Sequence, residues 1–368
     1  FWSARSWLRR NRPSNSLPLL LSSVNWLEEA ERTTVLQLLE TWPALKPLDA
    51  LALLSGEYAD TSVRAFAVRC LASLSDDQLV DCLLHLVQAL KAELYHYSVL
   101  AEFLLIRALR SKLEIGHYFF WYVQSEMNVP ELRIRFGLML SAYLWACGSH
   151  KTELAIQIAT VKQLQDIHQK IISKPVEKEK ESGWQGMLTA ELESLLDPLT
   201  KPWPSPSSLP PNSAVLVSSV ASGKNRCLKS AQKPIWIEFI PIEDGEQTVP
   251  VLFKVGDDLR QDTLTLHAFH IMDKLWKAEG LDMRLSLYRV VPTGPSVGFI
   301  EVVPNTRTLG KIQKDEEGVT GALRKTPLLN WIEKNNPTSA EKDMAIRNLV
   351  MSCAGYCVFT FLMGVGDQ

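Results

Sequence analysis

The hydrophobic period of this chain changes once, and the change falls at a run of prolines. Up to residue 172 apolar residues recur every three to four positions, and after residue 213 they alternate. Between them lies DPLTKPWPSPSSLPPNS, residues 197–213. The first period requires amphipathic helices and the second half-buried strands, so no single repeating architecture fits both halves. Proline fixes φ and removes a backbone donor, so this run is expected to be a linker without regular structure. The lysine–glutamate run 174–181 before it reads as a solvated face.

The first half reads as helix after helix. SDDQLVDCLLHLVQALKAEL opens on Ser75, with Gln78 three residues later, a capping box. Leu79, Leu83, Leu86 and Leu90 then form one apolar face. Asp60 is placed to cap a helix in which Val63, Phe66, Ala67 and Cys70 share a face. Short connections between such helices predict antiparallel pairs stacked as a HEAT-type solenoid, although no clean repeat is visible. The aromatics HYFFWY around Trp121 read as core. Residues 1–155 are expected to fold alone, with 156–214 as a connecting helix and linker.

In the second half NSAVLVSSV, KPIWIEFIP, TVPVLFKV, RLSLYRVVPT and VGFIEVVP read as strands. One helix, DTLTLHAFHIMDKLWKAEG, interrupts them and stops at Gly280. This order predicts a small antiparallel sheet with a helix against it over residues 215–304, then helices over 305–368. The fold class is therefore α+β and multidomain.

Composition removes several alternatives. The formal charge is −2, with 46% apolar and 22% charged residues, so nothing draws the chain as a whole to nucleic acid. The six cysteines lack the spacing of a zinc or disulfide framework and read as buried thiols of a reducing compartment. No stretch reads as a membrane span, and FWSARSWLRRNRPSN lacks the apolar core of a signal peptide. His267 and His270 lie a helical turn apart without a third ligand nearby and read as structural or surface residues. Neither a GxGxxGxV loop nor an HRD motif of protein kinases appears.

Lys254 is the residue that asks for chemistry. In VLFKVGDDLRQDTL it ends an apolar strand, with Val251, Phe253 and Val255 on one face and Leu252 with Lys254 on the other. An edge lysine in solvent is one reading. The other is a cation reaching a phosphate while Leu252 touches a flat ring. Three neighbours favour the second. Asp262 opens the following helix and can hold Lys254 or a partner hydroxyl. Lys229, Ser230 and Lys233 lie in a turn suited to phosphates. Glu301 is the single carboxylate of an apolar strand that reads as a hinge between lobes. Asp257 and Asp258 read as turn and capping groups.

PIWIEF, FKVGDDLRQD, KLWKAEGLDMRL, IEVV, NWIEKNNP and SCAGYCVFTFLMGVGD together resemble the kinase domain of phosphoinositide 3-kinases. LDALALLSGEYADTSVRAFAVRCL, LVQALK and FFWYVQSEM resemble that family's helical accessory domain. LPLLLSSVNW and KPIWIEF are similar to class I catalytic subunits of the gamma type. VTGALRK and the TWPALKPLDAL region are also similar to class II.

The resemblance implies roles. Lys254 is the lysine on the ATP phosphates, and Ser230 belongs to the phosphate loop. In that loop Gln232 stands where a basic residue is frequent, with Lys233 beside it. Asp262 and Tyr288 form an acid–phenol pair deep in the pocket. Trp236, Leu252, Ile300 and Val303 form its apolar walls, with Glu301 and Val303 at the hinge. Asp367 opens the catalytic loop, and the remaining catalytic groups and all metal ligands are expected beyond Gln368. The chain is thus expected to be cut within the kinase domain and to transfer nothing by itself. Further implications are ATP with Mg²⁺ and phosphorylation of the 3-hydroxyl of phosphatidylinositol 4,5-bisphosphate. A class II enzyme acting on phosphatidylinositol or its 4-phosphate, and an inactive helical scaffold, are the alternatives. A membrane lipid substrate, an adaptor subunit, Ras or G-protein subunits are the implied partners. Cytoplasmic residence with peripheral recruitment to the plasma membrane follows from the same resemblance.

Overall fold

A computed structural model describes residues 16–173, 184–243, 247–317 and 326–366. Asp367, the N-terminal FWSARSWLRRNRPSN and the lysine–glutamate run lie outside them. Two compact units are present: Phe1–Arg260 with Val291–Phe299, and Gln261–Val290 with Ile300–Gln368.

The first unit opens with helices α1 (Leu17–Ser22), α2 (Glu29–Glu40), α3 (Pro47–Leu51), α4 (Thr61–Leu71) and α5 (Asp76–Ala89). There follow α6 (Val99–Arg110), α7 (His117–Ser125), α8 (Arg133–Ala146), α9 (His150–Ile172) and α10 (Trp184–Thr200). The expected caps form. Asp60 accepts from the Ser62 amide at 2.8 Å, and Ser75 and Gln78 close their capping box at the start of α5. Leu79, Leu83 and Leu86 are fully buried, each contributing roughly 1.5–3 kcal/mol.

Two buried arginines then tie the helices to one another. Arg64 donates to the carbonyls of Leu54 and Ala89, each at 3.0 Å, and pairs with Glu93 at 2.9 Å. Arg135 donates to the carbonyls of Leu90 and Glu93 at 2.5 and 2.6 Å. Both donate to carbonyls at or just beyond helix ends, where intrahelical donors run out.

The strands are β1 (Ser207–Leu209), β2 (Asn212–Val220), β3 (Arg226–Cys227), β4 (Ile235–Pro241), β5 (Val249–Val255), β6 (Val290–Gly294) and β7 (Val297–Glu301). They form one sheet in the order β1-β2-β4-β5-β7-β6, with β3 on β4. The β1–β2, β2–β4, β3–β4 and β4–β5 pairs are antiparallel. Ile235, Ile237, Phe239, Val251 and Phe253 form a buried face, and the Phe253 and Phe299 rings lie 5.0 Å apart. The α+β class is the one expected.

The proline-rich run departs from expectation. It carries β1, an edge strand whose residues are all buried. Pro206 and Pro210 flank the strand, so Ser207, Ser208 and Leu209 keep their donors. The carbonyls of Pro210 and Pro211 accept from His117 Nε2 at 3.0 Å and the Tyr118 hydroxyl at 3.3 Å. Glu153 on α9 accepts from the Ser208 amide at 2.8 Å and from the Ser208 hydroxyl. The helical stack and the sheet are thereby joined into one unit. Helix α9 crosses the expected boundary at 155 and buries Leu164, Ile167 and Ile171 beyond it. Autonomy of residues 1–155 is not what this packing supports.

In the second unit α11 (Leu259–Ala278), whose first two residues belong to the first unit, is followed by an irregular segment. Then come α12 (Leu309–Glu317), α13 (Pro327–Asn335) and α14 (Ser339–Met363). The strand expected from RLSLYRVVPT begins only at Val290. The backbone before it takes side-chain partners too: Tyr356 donates to the Ser286 carbonyl at 3.1 Å, and the Arg289 amide donates to the Glu301 carboxylate at 3.0 Å. Gly355 permits this approach, because a Cβ there would stand 2.9 Å from Leu285 Cδ2 and 3.0 Å from Met283 Cβ.

Helix α14 corrects two further expectations. Its 25 residues include an 18-residue window of mean hydropathy 1.4, long and apolar enough to cross a membrane by length and composition. Only Gly355 and Phe359 of it are buried, Phe359 lying 4.1 Å from the Phe269 ring, and Thr338 with Glu341 closes a capping box at its start. Cys353 and Cys357 on this helix are exposed, whereas Cys70, Cys82, Cys147 and Cys227 are buried.

Removing the Glu153 carboxylate leaves the Ser208 amide and hydroxyl without their acceptor in a buried strand. Glu153→Ala is expected to cost about 2 kcal/mol, read by denaturant unfolding. A loss under about 0.5 kcal/mol would mean that β1 is not held from α9.

Candidate nucleotide site

In the first unit the β4–β5 register sets Trp236 opposite Leu252. Alternation along β5 then puts Lys254 on the same face, opposite the one that buries Val251 and Phe253. Trp236, Leu252 and Lys254 are all partly exposed, so this face offers an apolar platform with a cation at its end. The Arg226 guanidinium lies 4.1 Å from the Trp236 ring centroid, covering one side of the indole.

Lys254 pairs with a carboxylate of its own turn. Its ammonium lies 2.5 Å from Asp257. Asp257 therefore does more than shape a turn. Asp258 does serve the turn, accepting from the Arg260 amide at 3.1 Å and from its guanidinium at 2.8 and 2.7 Å. Those hydrogen bonds from Arg260 hold the Asp258 carboxyl below the usual carboxylate range.

The expected phosphate loop stands beside that turn. Gly256 has φ +110°, and a Cβ there would fall on the Gln232 carboxamide, 2.4 Å from its oxygen. The Gln232 carbonyl bonds His168 Nε2 at 2.9 Å. Ser230 and Lys229 are exposed, as a phosphate-facing turn requires. Lys233 differs: it is 8% exposed, at a left-handed φ of 44°, and does not present its cation to solvent. Its charge lies near Cys227, whose thiol burial pushes up to about 11 against the lowering effect of Lys233.

The other expected residues belong to the second unit. Tyr288 is half-buried, and burial followed by the Asp262 carboxylate pushes its phenol up. The Asp262 charge is thus felt at Tyr288. Ile300, Glu301 and Val303 are partly exposed, and the Glu301 amide donates to the Arg289 carbonyl at 2.9 Å. A cavity of about 610 Å³ in this unit lies between Gly280–Arg284 and α14, lined by Asp282, Arg284, Asp343 and Arg347 among others. None of the expected nucleotide residues lines it. Leu281, Met344 and Met351 line it beside these charges, but with none of the expected residues there the site is read from the β4–β5 face.

Among the described residues one cluster has the makings of a metal site that sequence reasoning missed: His117, His150 and Glu153, within 4.8 Å of one another. His117 and Glu153 hold β1, and His150 Nδ1 bonds the Tyr143 hydroxyl at 2.8 Å. These partners make it a polar staple of the fold.

Residues 1–156 match the accessory domain (PIK domain) of the phosphoinositide 3-kinase family, and residues 248–368 match phosphatidylinositol 3- and 4-kinase. The chain belongs to the phosphoinositide 3-kinase family. Phosphatidylinositol 3-kinase 1 of Dictyostelium discoideum is 41% identical over 353 residues, covering 96% of this chain and 22% of that protein. Phosphatidylinositol 3-kinase 2 of the same organism is 38% identical over 96% of the chain and 18% of its own length. The human phosphatidylinositol 4-phosphate 3-kinase C2 domain-containing subunit beta is 38% identical, over 96% and 21%. The chain therefore spans about a fifth of these relatives.

The tight packing of Gly256 yields a direct test. Gly256→Ala combines a disfavoured φ with a contact on Gln232 and is expected to destabilise by about 1–3 kcal/mol. Adding Gln232→Ala should recover part of the loss by removing the contact, but not the part due to φ. Full recovery in the double variant, measured by denaturant unfolding, would show that backbone strain contributes nothing.

Proposed function

We propose that this chain supplies the nucleotide-gripping part of a lipid kinase that phosphorylates the 3-hydroxyl of phosphatidylinositol lipids. The observation that carries the reading is the single face of β4 and β5 on which Trp236, Leu252 and Lys254 stand in line. Leu252 and Trp236 would take the base, while Lys254 would meet the phosphates. Ser230 and Lys229 would add a hydroxyl and a second cation at the turn.

Phosphoryl transfer depends on positioning and on neutralising charge, which suits a lysine whose ammonium is already directed by Asp257. On meeting a triphosphate, Lys254 would exchange its partly exposed carboxylate partner for phosphate oxygens. A nucleotide accompanied by Mg²⁺ supplies the phosphoryl group, and no metal ligand is assigned within this chain. The favoured lipid is phosphatidylinositol 4,5-bisphosphate, read from the class I resemblance. The name of the human relative favours the 4-phosphate as the second reading. Cytoplasmic residence, peripheral recruitment and adaptor, Ras or G-protein partners belong to the same proposal.

Assay of the full-length protein against phosphatidylinositol, its 4-phosphate and its 4,5-bisphosphate tests the activity and ranks the headgroups. Lys254→Met keeps the stem and removes the charge. It is expected to cost about 2–4 kcal/mol of transition-state stabilisation, as loss of one preorganised electrostatic contact does. Activity within threefold of wild type would remove Lys254 from the site.

A further inference from the structure

Glu126, the residue after α7, is fully buried yet charged. Its Oε1 accepts from Gln88 at 2.5 Å, and its Oε2 lies 2.8 Å from the Lys91 ammonium. Both partners come from the end of α5 and the turn after it. The third partner comes from elsewhere in the chain: Arg260 Nη1 lies 3.0 Å from the same Oε2. Burial pushes the Glu126 carboxyl up, but Lys91, Gln88 and Arg260 outweigh it, leaving the group below its ordinary value and ionised.

Arg260 spends its other edge on Asp258, through Nε at 2.8 Å and Nη2 at 2.7 Å. The guanidinium is therefore held side-on by the turn and end-on by the helical stack. The adjacent aspartate holds the ammonium of Lys254 at 2.5 Å. Glu126, Arg260, Asp258, Asp257 and Lys254 thus form a continuous series of ion pairs and one peptide link, all within the first unit. Of the linked charges Glu126, Asp258, Lys91 and Arg260, only Glu126 is fully buried, and it depends on its cations for compensation.

We propose that Glu126 is a positioning residue of the nucleotide site: through Arg260 it fixes the turn of residues 256–260 and thereby sets where the Lys254 ammonium stands. The helical accessory section becomes a working part of the phosphate grip, beyond its role as a platform. This inference rests on the proposed function, since Lys254 must meet phosphates for its position to matter. Glu126→Gln is nearly isosteric and removes the charge that draws Arg260. Freed from one side, the guanidinium follows Asp258, and the turn gains freedom.

The test compares ATP with adenosine, both with Mg²⁺, by calorimetry on the full-length protein. A loosened Lys254 should weaken only the ligand that carries phosphates. The Glu126→Gln variant is expected to bind ATP about fivefold more weakly, with adenosine unchanged within about twofold, a typical size for coupling through a packed network. Lys91→Met removes the other cation from the same carboxylate without touching the turn, and should leave the ATP-to-adenosine ratio at its wild-type value. Arg260→Lys keeps the charge but cannot serve both carboxylates, and is expected to fall between wild type and Glu126→Gln; it also decides the matter if Glu126→Gln does not fold. Equal weakening of both ligands, or an unchanged ratio in Glu126→Gln and Arg260→Lys, would reduce Glu126 to a structural ion pair and overturn the inference alone. Wild-type protein that binds adenosine no more weakly than ATP, or binds neither, overturns the functional reading and this inference with it.

Discussion

Backbone groups taken out of water must find hydrogen bonds, and the join between helices and sheet depends on how residues 207–211 meet that demand. A short edge strand flanked by prolines cannot satisfy itself through a ladder on both sides. β2 supplies one side, and the helical stack supplies the other through Glu153, His117 and Tyr118. All three are polar groups on helices whose buried faces are otherwise largely apolar, aromatic on α7 and aliphatic on α9. Their polarity makes sense only because an unpaired strand edge faces them. Once β1 is fixed, β2 and β4 follow by register, and β5 with its lysine follows from β4.

Features governed by local chemistry were legible in the sequence. The Ser75–Gln78 box and the Asp60 cap need only their own few residues, and the alternation of β5 needs only its own side chains. What escaped was decided by partners far along the chain. The run around Leu209 reads as linker because its hydrogen-bond partners lie near residues 117 and 153. The stretch before Val290 has the composition of a strand, yet its Ser286 carbonyl is taken by Tyr356, and Met283 and Leu285 pack against Gly355, seventy residues on. Buried arginines look like surface charges until the carbonyls of Leu54, Ala89 and Leu90 are seen to converge on them.

The site divides in the same manner. Strand alternation alone put Leu252 and Lys254 on one face, and the platform could be anticipated from that. The resemblance supplied Asp262 with Tyr288, whose mutual influence the structure retains. Which carboxylate holds Lys254 could not be read from spacing, because what comes within reach of the lysine depends on how the chain turns after Val255. Geometry selects Asp257, three residues on, because the turn at Gly256 folds the chain back on itself.

That turn also explains a departure from the family pattern. Gln232 stands where a basic residue is frequent, and its carboxamide packs over Gly256, within a few residues of the Lys254 ammonium. A cation there would add a positive charge near the Lys254–Asp257 pair, which is already balanced. A neutral carboxamide adds none, and its backbone carbonyl is still held by His168 on α9. The burial of Lys233 works in the same direction, withdrawing one more charge from the open turn. On the proposed function, the phosphates would then meet a loop shaped by neutral groups and pinned by the helical stack. Lys254, aligned by its own aspartate, would carry the larger part of the electrostatic task.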